Sequence, residues 1–111
     1  MKELLKEKDQ VAAQEFRARL QRLLGQNLEK LALFGSKAEG QDTPESDIDI
    51  LVLIKDSASG MREKILDEAF EVNLKHGVYI SPRVISLGTF QHPVWSITPF
   101  FRNLRERGVP L

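Results

Sequence analysis

The sequence has 111 residues, of which 41% are hydrophobic and 29% charged, and its formal net charge at pH 7 is zero. This length and composition predict one domain, residues 1–111, that folds without covalent staples. The absence of cysteine excludes disulfides and thiolate metal sites. The longest apolar run, residues 48–54, is too short to span a membrane, and the N-terminus is crowded with charges. We therefore expect a cytoplasmic protein without a signal peptide or membrane segment.

The first half of the chain predicts one helix and two strands. Residues 2–24 carry apolar side chains at near-helical spacing among good helix formers, and Gly25 and Asn27 supply a stop. Residues 31–34 are short and apolar and are followed by glycine, which indicates a strand. After a polar loop, residues 47–54 are dominated by Ile, Leu and Val, as is typical of a buried strand.

The second half predicts a helix, a strand and a final helix. Residues 61–75 have a helical apolar pattern, and residues 78–86 indicate a strand in which Pro82 favours an edge position or a bulge. Residues 94–107 predict the final helix, with a kink at Pro99. The apolar side of the helix over 61–75 consists of Ile65, Leu66, Ala69, Phe70 and Leu74. This order predicts an α/β (α+β) fold, a small mixed β-sheet with helices on one face.

Asp47 and Asp49 open the second predicted strand and are candidate metal ligands. Residues two apart on a strand point to the same face, so the two carboxylates would lie roughly 6 to 7 Å apart. Such a pair suits Mg²⁺, which prefers one or two carboxylates together with phosphate oxygens and water. Asp is also rare in apolar strands. The alternative is that both residues lie at the solvated start of the strand and bind nothing, and the pair alone does not decide between these interpretations.

Gly35 and Ser36 follow the first predicted strand and are candidate phosphate ligands. Backbone N–H groups at such a turn favour phosphate, glycine permits close approach, and a serine hydroxyl can donate a hydrogen bond. Alone, such a pair is more typical of a plain turn. Its occurrence one short loop before Asp47 and Asp49 predicts a site for a metal-bound nucleoside triphosphate.

Several residues around this site have the spacing of a known signature: Gly35, Ser36, Ala38, Gly40, Ser46, Asp47 and Asp49. They resemble the signature of the minimal nucleotidyltransferase (MNT) domain family, in the DNA polymerase β-like superfamily, which includes MntA-type antitoxins. The resemblance implies the polymerase β-like nucleotidyltransferase fold and transfer of a nucleoside monophosphate, here AMP from ATP, with release of pyrophosphate. It implies that Gly35 and Ser36 hold the phosphates, and that Asp47 and Asp49 bind Mg²⁺ and are catalytic.

The resemblance also implies a partner. Many short members are paired with a helical toxin ribonuclease of the HEPN type and act as its antitoxin, some by adenylylating it. A homodimer is a second expectation, because the tail offers apolar residues that need a cover: Val94, Trp95, Ile97, Phe100 and Phe101. We expect no duplex nucleic acid as partner, since no broad basic patch is present.

The sequence departs from the family pattern on the next strand. Relatives carry a third carboxylate there, as a base or a second-metal ligand, whereas residues 78–86 contain no acid. By alternation, Tyr79, Ser81 and Arg83 share a face, so Arg83 is the nearest charged replacement and a candidate nucleotide ligand. There are two alternatives: Arg83 pairs with the aspartates, or it is an arginine at a strand edge with no role in the site. Two functions follow: a Mg²⁺-dependent nucleotidyltransferase, or a catalytically degenerate nucleotide-binding or toxin-neutralising module of the same fold.

Overall fold

The computed structural model describes residues 6–35 and 47–111. Its helices are α1 Glu7–Leu24, α2 Met61–His76, α3 Leu87–Phe90 and α4 Pro99–Arg107. Its strands are β1 Leu28–Phe34, β2 Ile48–Ile54, β3 Ile80–Ser86 and β4 Val109–Pro110. Ser36 and the loop up to residue 46 lie outside the described residues, as does the start of the first predicted helix.

The strands form one mixed sheet in the order β3-β2-β1-β4. Strand β1 is antiparallel to β2 and β4, whereas β2 and β3 are parallel and are joined through α2. The predicted mixed α/β fold is therefore confirmed, and it is the arrangement of the polymerase β-like nucleotidyltransferases. Strand β3 lies at an edge, as Pro82 predicted.

Helices cover both faces of the sheet, so the prediction of helices on one face is wrong. The core under α1 and α2 contains Phe16, Leu20, Ile50, Val52, Ile65 and Val72. The core on the opposite face contains Ala32, Leu51, Leu53, Ile85, Phe101 and Leu104. The physical reason lies in β2, which is buried at every position except Asp49 and thus presents apolar side chains to both faces. Helix α4 supplies the second cover.

Several elements differ from the prediction in their bounds or were not predicted. Strand β1 begins at Leu28 rather than at residue 31, because the exposed side chains of Glu29 and Lys30 conceal its apolar pattern. Helix α4 begins at Pro99 instead of being kinked there, since proline needs no hydrogen-bond partner for its nitrogen in the first turn. Strand β4 was not predicted, because two residues are too few to show any periodicity.

The buried side of α2 also differs from the prediction. Ile65, Ala69 and Val72 face the core. Leu66, Phe70 and Leu74 were predicted on the same apolar side as Ile65 and Ala69 but are 37%, 60% and 68% exposed. Both sets recur at helical spacing, so the sequence pattern alone could not choose between them. We call Leu66, Phe70 and Leu74 the α2 stripe.

A cluster of ion pairs fixes α2 against α1. The Glu15 carboxylate lies 2.9 Å from Lys75 Nζ, 3.0 Å from His76 Nε2 and 3.1 Å from Arg19 Nε. Arg19 also contacts Glu68 on α2 at 3.0 Å. Hydrogen bonds from Lys75 and His76, with a smaller one from Arg19, lower the pKa of Glu15 to about 2. The cluster thus holds α2, and with it the following edge strand, in place.

Within the described residues, no helix is long and apolar enough to cross a membrane.

Replacing Glu15 by Gln tests this cluster. A carboxyl whose pKa falls from 4.5 to about 2 on folding stabilises the fold above pH 4.5, and that contribution is lost as the pH falls towards 2. We expect Glu15→Gln to lower the melting temperature at pH 7 and to have little effect near pH 2, as measured by circular dichroism. Glu71→Gln, at an exposed position of α2, is the control and should change neither.

Candidate active site

The Asp49 carboxylate lies against Gly35, where β1 ends. Asp49 is half-buried on β2, with Phe34 as its partner on one side and Ser81 on the other. Gly35 has a φ of 76°, and a Cβ added to it would lie 3.2 Å from Asp49 Cγ and nearer still to Oδ2. Glycine is therefore required at this turn both by backbone conformation and by space. The Asp49 carboxylate thus lies at the predicted phosphate turn on its Gly35 side, whereas Ser36 lies outside the described residues.

Asp47 immediately precedes β2 and is exposed. Burial raises the pKa of Asp49, and the nearby negative charge of Asp47 raises it further, while Arg83 opposes both effects. Two carboxylates this close disfavour full ionisation unless a cation offsets their charge. The pair fits a hard divalent ion that takes its remaining ligands from phosphate and water. Among the described residues, no group of three or more acidic, His or Cys side chains could hold a metal ion.

Strand β3 places Ser81 and Arg83 beside this pair. Ser81 is the register partner of Asp49, and Arg83 is the partner of Leu51, the next residue on the same face. The face of β3 that carries Ser81 and Arg83 therefore lies next to the aspartates. The positive charge of Arg83 acts on the Asp49 carboxylate. A role for Ser81 was not predictable from the sequence, because its position opposite Asp49 depends on a strand register that alternation does not fix.

Phe34 and Phe100 are neighbours of the site that sequence reasoning missed. Phe34 pairs with Asp49, and its ring meets Phe100 edge-on with centroids 6.3 Å apart. The guanidinium carbon of Arg83 lies 5.6 Å from the Phe100 ring centroid. The sequence indicated Phe100 as an apolar residue of the tail that needs a cover, but nothing in the pattern shows where α4 packs. The available signal was its neighbour Phe101, which marks the helix as a cover for the sheet.

A cleft of about 480 Å³ runs along the exposed edge of β3. Its charged lining consists of Asp47, Arg62 and Arg83. Asn73 fixes this edge, because its Oδ1 accepts from the Ile80 N–H at 2.7 Å and its Nδ2 donates to the Ile80 carbonyl at 3.2 Å. One carboxylate and two guanidinium groups suit a metal-bound polyphosphate.

A second cleft, of about 400 Å³, adjoins the first. Asn73 and Tyr79 line both clefts, and Phe70 and Leu74 of the α2 stripe line the second. An apolar surface therefore leads directly to the cleft that contains Asp47.

The mixed sheet has the fold expected of a nucleotidyltransferase, and Asp49 of the acidic pair lies beside Gly35, as predicted for its site. Residues 13–100 match the nucleotidyltransferase domain family, and the chain belongs to that family, within its minimal nucleotidyltransferases. The resemblance seen in the sequence is thereby confirmed at the level of the family. Which residues act in the site stays a prediction.

Two relatives come from Methanocaldococcus jannaschii, and each is named "Putative protein adenylyltransferase". One is 35% identical over 101 residues, which cover 90% of this chain and 94% of the relative. The other is 36% identical over 69 residues, which cover 61% of this chain and 70% of the relative.

Replacing Gly35 by Ala tests the contact with Asp49. The added methyl group meets both an unfavourable φ and the Asp49 carboxylate, so we expect a loss of more than about 1 kcal/mol of stability and weaker nucleotide binding. Gly60→Ala is a matched control, because Gly60 has a φ of 79° but open space around it. Urea denaturation and ATP titration of both variants separate backbone strain from the clash. Equal effects of both changes would contradict a specific contact.

Proposed function

We propose that this protein transfers AMP from ATP to a side chain of a partner protein, with Mg²⁺ held by Asp47 and Asp49. The observation that carries the proposal is the contact of the Asp49 carboxylate with Gly35, which joins the predicted metal ligand to the predicted phosphate turn. Membership of the nucleotidyltransferase family supports the reaction class. The names of the two archaeal relatives support AMP as the group transferred and a protein as the acceptor.

Each residue of the site has a separate role in this reaction. Asp47 and Asp49 hold Mg²⁺, which when bound offsets triphosphate charge and the charge that develops during transfer. Gly35 and Ser36 hold the phosphates, as the sequence resemblance implies, and Arg83, which lines the cleft with Asp47, binds a phosphate oxygen through its guanidinium. In the transfer, the acceptor oxygen forms a bond to the α-phosphorus as the bond to the bridging oxygen breaks. Pyrophosphate leaves, and the proton of the acceptor hydroxyl passes to solvent water.

The α2 stripe supports a protein as the acceptor. Phe70 and Leu74 are more than half exposed, as is Tyr79 at the start of the edge strand. They line the cleft that adjoins the carboxylate cleft, so a protein bound there would reach the Asp47 side of the site. A helical HEPN-type toxin, implied by the sequence resemblance, is the partner to test first, and its modification would make this protein an antitoxin.

A second candidate function is a nucleotide-binding or toxin-neutralising module without turnover. The observation that favours it is that the described part of the chain brings no third acid to Asp47 and Asp49. Such a module would bind its partner through the same apolar surface. Transfer of label separates the two functions.

Incubation with α-labelled ATP, Mg²⁺ and the helical partner tests the enzyme. We expect the partner to become labelled, and Asp49→Asn to reduce the rate by about 100-fold or more, because a direct ligand of the metal is lost. The variant should keep its far-ultraviolet circular dichroism. Tight partner binding with no label from the unmodified protein would favour the module without turnover.

A second prediction concerns the acceptor surface. Phe70→Ser combined with Leu74→Ser should raise the KM for the protein acceptor several-fold, because an apolar contact is lost, and should leave the affinity for ATP unchanged. Val11→Ser, at a residue 46% exposed on α1, is the control for the loss of an exposed apolar side chain. An acceptor KM that moves equally in both proteins would place the acceptor elsewhere.

A further inference from the structure

The charges around Asp49 differ from those of a site for two metal ions. The resemblance implied a third carboxylate on β3, as a base or as a ligand of a second ion. In the described part of the chain, Asp47 and Asp49 have no third ligand of this kind, and β3 presents Arg83 on their face instead. A guanidinium is a fixed positive charge, which repels a second cation and attracts phosphate.

Arg83 is held towards the site by Phe100. Its side chain lies at the edge strand, where an unsupported arginine has many conformations. Its guanidinium carbon lies 5.6 Å from the Phe100 centroid, within the range of a cation–π contact. Phe100 is fixed in turn by edge-on contacts with Phe34 at 6.3 Å and Phe101 at 5.4 Å. Since Phe34 is the register partner of Asp49, this aromatic row connects the carboxylate strand to the guanidinium.

We propose that this site binds one divalent ion with its nucleotide, that Arg83 supplies the positive charge of a second, and that Phe100 positions Arg83. The inference rests on the proposed function and adds the metal count and a positioning residue. It explains how a site that binds one ion through two carboxylates can still offset the negative charge of a triphosphate. It also predicts that an acid in place of Arg83 changes the number of ions bound, which activity alone would not reveal.

Counting bound Mn²⁺ by electron paramagnetic resonance tests the metal count. The protein is saturated with an ATP analogue whose α,β-bridging oxygen is replaced by methylene, so that no transfer occurs. We expect one ion per chain in the unmodified protein and two in Arg83→Asp. Two ions in the unmodified protein, or one in Arg83→Asp, would overturn the proposal.

A further variant addresses the loop acids outside the described residues. Changing Glu39, Asp42 and Glu45 to their amides should leave one ion bound, and loss of that ion would overturn the assignment to Asp47 and Asp49. The proposed function fails separately: if neither Mn²⁺ nor label transfer is found, both proposals fall. Transfer with two bound ions overturns only the present inference.

The role of Phe100 is tested by a conservative pair. Phe100→Leu should raise the KM for ATP about two- to five-fold, the scale of an exposed cation–π contact, whereas Phe100→Tyr should restore it. The chain offers a matched control, because Arg105 lies 6.0 Å from the Phe90 centroid, in a second cation–π contact that involves the same helix. Arg105→Gln should leave the KM for ATP unchanged. A rise of the same size in Arg105→Gln, or no rescue by Phe100→Tyr, would overturn the positioning role.

Discussion

Asp49 lies on β2, a strand that is paired on both sides, and its carboxylate lies against Gly35. The surroundings of this carboxylate follow from that contact. Burial and the neighbouring Asp47 both raise the pKa of Asp49, so the ionised pair is unfavourable in the free protein. A strand that served packing alone would carry apolar residues there. The positive charge of Arg83 reduces this cost. Glycine at position 35 lets the carboxylate lie against the turn without a steric clash.

The two faces of the sheet have different covers and different roles. One is closed by α1 and α2, whose contact is fixed by the ion pairs around Glu15. The other is only partly covered by α4, and here Asp49, Arg83 and Phe100 meet beside the edge strand. Because the edge of β3 borders both the carboxylate cleft and the α2 stripe, the same edge can serve the nucleotide and its acceptor. A rigid scaffold with an open edge suits a transfer between two bound molecules.

Local features of the site were predictable from the sequence, and distant ones were not. Asp47, Asp49 and Gly35 lie close in the chain, and their spacing predicted neighbouring carboxylates, whose charges do interact. The common face of Ser81 and Arg83 was predictable from the alternation of side chains along a strand. The register that sets Ser81 opposite Asp49 depends on pairing between strands, and the position of Phe100 depends on how α4 crosses the sheet.

The wrong prediction for α2 has a related cause. Leu66, Phe70 and Leu74 form as good an apolar stripe as the residues that are buried, and only packing against the sheet decides which one is covered. The short strand β4 and the start of β1 were missed because exposed or very short segments carry little apolar pattern. Predictions from the sequence thus held where spacing within one element was enough and failed where two elements had to be placed together.

The proposed function requires that Asp47 and Asp49 bind ATP through a divalent ion. Calorimetric titration of ATP into the protein, with Mg²⁺ and after its removal by a chelator, tests this most directly. We expect ATP binding that requires Mg²⁺ in the unmodified protein and that is lost in Asp49→Asn. Equal affinity in both proteins, with and without Mg²⁺, would contradict it.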